Sequence, residues 1–131
     1  KKNDLPWDEN FQYSILDICN ICGTDWEVGT PPDRMEKGMR ELNIPYIEHM
    51  GGSKPYELLQ RVIEDGNFAI LRTITKGVPH WIVATRMHFV YPEKYVILDP
   101  ALGRIDYNQQ DLDSIWAPRQ YQFFEILTNG N

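Results

Sequence analysis

The feature that most constrains this fold is a change of hydrophobic period at Gly66. Before it, apolar residues recur at helical spacing. After it, β-branched and aromatic runs are separated by turn residues. A chain patterned this way cannot alternate strand and helix along its length, so the order predicts an α+β domain with helices packed against a mostly antiparallel sheet.

Each predicted helix has its own start signal. Pro6, Asp8 and Glu9 suit a first turn ahead of Phe11, Ile15, Ile18 and Cys22, which gives a helix from about Pro6 to Ile21 closed by Gly23-Thr24. Thr30-Pro31-Pro32-Asp33 opens a second helix through Met35, Met39 and Leu42. Ser53 and Pro55 open a third through Leu58, Leu59, Val62 and Ile63, with Gly66 as its stop. Strands are expected at Phe68–Thr73, His80–Arg86, Lys94–Leu98 and Gln120–Leu127, with turns at Lys76-Gly77 and Tyr91-Pro92-Glu93. Gln109–Trp116 reads as a short helix between the last two strands. With 131 residues and 42% hydrophobic content, there is material for one ordinary core, so residues 1–131 are read as a single domain.

Charge narrows the partners. Thirteen basic against nineteen acidic residues give a net charge of -6, which repels a phosphate backbone, so nucleic acid is not expected as a partner. No apolar run approaches the roughly 18 to 20 residues that span a bilayer, and a soluble domain with the cytosol as default compartment is expected. The sequence leaves the oligomeric state open.

The candidate chemistry lies in Pro79-His80-Trp81-Ile82-Val83-Ala84 and Tyr95-Val96-Ile97-Leu98-Asp99-Pro100. His80 opens one strand and Asp99 closes the next, so antiparallel pairing can bring an imidazole and a carboxylate to one end of the sheet. A carboxylate on one ring nitrogen fixes the tautomer and leaves the other as a base. The plainer alternative makes His80 a turn residue after Pro79 and Asp99-Pro100 a turn initiator. On strand alternation Trp81 faces away from His80. His49, beside Met50-Gly51-Gly52, reads as a solvated loop residue.

Only two cysteines occur, in Cys19-Asn20-Ile21-Cys22. Redox pair, half of a metal site, nucleophile and core packing all remain open for them. A zinc site needs two further ligands in paired spacing, which His49, His80 and His88 do not offer, and no metal or cofactor is expected. Both cysteines fall near the C-terminal end of the first predicted helix, where the dipole raises a thiol pKa, and two small apolar side chains on its buried face account for them.

The order of segments resembles the C39-like peptidases, a group of papain-like cysteine peptidases that cleave leader peptides in bacteriocin export. Gly29-Thr30, His80-Trp81-Ile82-Val83, Leu98-Asp99-Pro100-Ala101-Leu102-Gly103 and the acidic helix ending in Trp116 match that pattern in order, from Asp4 to Leu127. The resemblance implies a thiolate attacking a peptide carbonyl, with His80 moving the proton and Asp99 orienting it. The nucleophile belongs at the start of the first helix, and there Asn3-Asp4-Leu5-Pro6-Trp7 places Leu5 where the family has cysteine. Leucine has no nucleophilic atom. The implied function is therefore a degenerate C39-like domain that binds a peptide or partner protein without cleaving it, in a cleft formed by Leu5, Trp7, His80 and Trp81. The alternative is an active thiol peptidase or acyl-transfer enzyme that uses Cys22, or a cysteine outside the given sequence. Cys22-Gly23 copies the family's dipeptide, but the segment after it reads as loop.

Overall fold

The computed structural model describes residues 32–99 and 102–127. The helix expected over Pro6 to Ile21 lies outside these residues. So do Leu5, Trp7, Cys19, Cys22, Gly29-Thr30, Pro100 and Ala101.

The described chain runs α1 (Pro32–Glu41), β1 (Tyr46–Met50), α2 (Pro55–Glu64), β2 (Phe68–Thr75), β3 (Val78–Met87), β4 (Lys94–Asp99), β5 (Gly103–Asn108), α3 (Gln109–Trp116), a 3-10 turn (Ala117–Arg119) and β6 (Gln122–Ile126). The strands form one six-stranded sheet in the order β1-β6-β2-β3-β4-β5, with every pairing antiparallel. This is the expected α+β architecture, with two strands that sequence reasoning missed. β1 interrupts the helices, so the chain does not complete its helices before its sheet begins. It pairs with β6, the last strand in sequence, as one edge of the sheet. β5 forms the other edge, and the turn into it uses Gly103 at φ +83°, in the left-handed region that favours glycine.

Local chemistry explains the boundaries. Asn108 caps α3 by accepting a hydrogen bond from the Asp111 amide at 2.7 Å, and Asp111 reaches back to the Asn108 amide at 3.3 Å. That reciprocal pair satisfies two donors at the helix start. α2 begins after Lys54 rather than Ser53, without a side-chain cap, and relies on Pro55 in its first turn. Between β2 and β3, Lys76 and Gly77 both have positive φ and Thr75 pairs with Val78. This is the two-residue hairpin turn whose twist matches its strands.

Both faces of the sheet are covered. On one face, Met35 and Met39 of α1 pack with Phe68, Ile70, Trp81, Val83, Phe124 and Ile126. On the other, Leu59 and Val62 of α2 and Leu112 and Trp116 of α3 pack with Ala69, Leu71, Ile82, Ala84, Ile97 and Phe123. Strands buried on both faces carry unbroken apolar runs, which is why Phe68-Ala69-Ile70-Leu71 is buried throughout. The aromatic side chains lock these layers: Trp81 stacks on Phe124, and the Trp116 indole donates to the Gln122 carbonyl at 3.0 Å.

Candidate functional site

The β2–β3 hairpin sets the place of His80. Two residues past the start of β3, it stands opposite Thr73 in the β2–β3 register. Asp99 is the last residue of β4, and β4 runs antiparallel to β3, so its end returns to the level where β3 begins. His80 Nε2 and Asp99 Oδ1 meet at 2.9 Å. The pair is well buried, with side chains 12% and 4% exposed. Asp99 Oδ1 also accepts the Leu102 amide at 3.1 Å, a second anchor for the carboxylate.

This geometry assigns the ring atoms their roles. An ionised carboxylate only accepts hydrogen bonds, so His80 Nε2 carries the proton and donates it to Asp99. In the neutral ring Nδ1 is then the basic nitrogen, and any base chemistry by His80 runs through that atom. The Thr73 hydroxyl donates to the His80 carbonyl at 2.6 Å, which ties the backbone beneath the ring to β2.

Trp81, expected in the cleft, is 3% exposed and belongs to the core on the α1 side of the sheet. The period of a strand explains this placement, since neighbouring side chains point to opposite faces. Leu5, Trp7 and Cys22 lie outside the described residues. Among the described residues, no three His, Cys, Asp or Glu side chains converge as metal ligands.

The other two histidines also meet carboxylates. His49 is not a solvated loop residue: it sits in β1, with Nε2 at 2.8 Å from Glu125 Oε1 and its ring stacked on Phe123. Asn67 donates to the second Glu125 oxygen at 2.7 Å. Tyr46-Ile47-Glu48-His49-Met50 does not alternate, and the turn residues on either side, Pro45 and Gly51-Gly52, are the signal the sequence offers for this strand. His88 holds the β3–β4 connection together, because its Nδ1 accepts the Val90 and Tyr91 amides at 3.0 and 3.1 Å. A ring nitrogen bonded in this way is not a proton acceptor for a substrate, so His88 serves the turn.

No family model and no curated protein sequence matches the chain. Solved structures do. A chain from Bacillus anthracis described as C39-like peptidase superposes with a TM-score of 0.59 at 13% identity, covering 77% of this chain and 60% of that one. This protein therefore spans less than two thirds of the length of that relative. The peptidase domain of Streptococcus mutans ComA gives a TM-score of 0.60 at 11% identity, covering 94% of this chain and 97% of that one. The peptidase domain of Streptococcus ComA, a bi-functional ABC transporter involved in a quorum-sensing pathway, gives 0.57 at 11% identity, covering 84% and 74%. Identities this low speak to architecture alone, and the architecture is the C39-like, papain-like α+β fold.

Proposed function

We propose that this chain is a C39-like domain that holds a peptide, or an extended segment of a partner protein, at the His80–Asp99 end of its sheet without cleaving it. The observation that carries this reading is the buried imidazole–carboxylate pair, 2.9 Å apart, on a fold shared with peptidase domains. Those relatives act on peptides by name, which supports a peptide as ligand here. Leu5 at the family's nucleophile position is the reason for binding without cleavage. The net charge of -6 favours a basic or neutral segment over an acidic one.

The same pair supports one second reading, an active thiol peptidase or acyl-transfer enzyme. With Nε2 turned to Asp99, Nδ1 would take the proton of a nearby thiol. The thiolate would attack the peptide carbonyl, and the imidazolium would return the proton to the departing amine. Cys22, or a cysteine outside the given sequence, would supply the sulfur.

A peptide electrophile that alkylates thiols separates the two. The binding reading expects no stoichiometric labelling, together with changes in the His80 NMR signals when the same peptide is added without its reactive group. Stoichiometric modification of Cys22 that disappears in His80→Ala would establish the enzyme instead. Unmoved His80 signals across a diverse peptide set would remove the peptide-binding reading.

A further inference from the structure

The His80 imidazole is only as well placed as the backbone that carries it. The β2–β3 pairs continue past His80 to Thr75–Val78. Thr73, directly opposite His80, is fully buried and donates its hydroxyl to the His80 carbonyl at 2.6 Å. Valine would fill the same space with the same strand preference and no hydroxyl to desolvate. A buried hydroxyl here is therefore explained by its bond, and that bond ends on the backbone of the one histidine paired with Asp99.

We infer that Thr73 is a positioning residue: its hydroxyl pins the start of β3 so that His80 Nε2 stays on Asp99 Oδ1. Thr73 touches neither the carboxylate nor any ligand in this role. It acts through the His80 main chain, and so limits how far the ring can move when a peptide approaches. The inference rests on His80 and Asp99 being the working pair of the site, although it requires no cleavage and no particular ligand.

The test is NMR on protein labelled with 15N in its histidines, reading the tautomer of His80 and the rate at which its Nε2 proton exchanges with water. Thr73→Val should speed that exchange about tenfold, the size of one neutral hydrogen bond, and blur the preference for the Nε2–H tautomer. Thr73→Ser, which keeps the hydroxyl, should restore both. His49 and His88, held by other elements, serve as internal controls and should not change. A general loss of stability would move all three rings together and would overturn the inference. So would a folded Thr73→Val protein with a native His80 signature. Should Thr73→Val fail to fold, Thr73→Ala read against Thr73→Ser decides in the same way.

Asp99→Asn keeps an acceptor oxygen but removes the charge, and so tests the pair itself. A His80 ring indifferent to Asp99→Asn would sink the reading of the pair. A ring that answers to Asp99→Asn but not to Thr73→Val sinks only the role of Thr73.

Discussion

Asp99 Oδ1 serves two donors at once, the His80 ring at 2.9 Å and the Leu102 amide at 3.1 Å. Removing the carboxylate therefore costs more than one hydrogen bond, and the His80 ring it leaves without this acceptor is well buried. Asp99→Ala should destabilise the protein by roughly 1–3 kcal/mol in urea unfolding, the range for a buried group left without its partner. Asp99→Asn should lose less, since its amide oxygen can accept from both donors. Equal losses in the two variants would show that charge, rather than geometry, holds the His80 corner. His80 and Asp99 were legible in the sequence as residues at the start and end of two strand-like runs. Antiparallel pairing made their meeting an expectation too, whereas the shift of register between Ala84 and Arg86 was not legible. A bulge of this kind moves a side chain without leaving a mark in composition.

Between elements, the clearest joint is the one that binds α2 to α3. Asp113 Oδ1 accepts the Tyr56 hydroxyl at 2.8 Å and the Tyr121 hydroxyl at 2.9 Å. Burial, followed by the bond to Asp113, pushes the Tyr56 phenol far above its ordinary value of 10.0, and the bond to Asp113 raises Tyr121. A raised folded-state pKa means the native protein keeps protons that the unfolded chain gives up. This contribution is whole below pH 10 and is lost as the pH rises beyond it. Alkaline unfolding should therefore steepen above about pH 10, accompanied by tyrosinate absorbance, and Tyr56→Phe should flatten that limb. An unchanged slope in Tyr56→Phe would rule out the joint as its source. Gly51 marks a second joint, between β1 and α2. A Cβ there would stand 2.6 Å from the Tyr121 Cβ and 2.7 Å from the Pro55 Cβ, neither of them a flexible side-chain end. Gly51→Ala should cost about 1–3 kcal/mol by overpacking, read as a lowered thermal midpoint, whereas Gly52→Ala meets no neighbouring atom within 4 Å and pays only for its φ of +67°.

At the scale of the molecule, the sheet is most secure at its centre. β2 and β6 each have neighbours on both sides, and every residue of β6 is buried. β1 and β5 have one described neighbour each. Native-state hydrogen exchange should rank the amides of β2 and β6 slowest and those of β1 and β5 faster, because local opening starts where fewest bonds must break. Exchange in β1 as slow as in β6 would contradict this ranking. The two edges are also the strands that sequence reasoning missed. Tyr46–Met50 and Gly103–Asn108 carry mixed polar and apolar residues without a sustained alternation of burial, and they become strands through pairing with β6 and β4. The chain's own residues determined the α+β class, the second and third predicted helices, the helix Gln109–Trp116, the Lys76-Gly77 turn and the four strands that include both edges of the His80 corner. These follow from period, capping and turn chemistry, which act over a few neighbouring residues. Tertiary structure alone decided that the last strand lies between β1 and β2, that His49 meets Glu125, and that Trp81 is core. Each of these is a contact between distant segments, fixed by register and by which face of the sheet each helix covers.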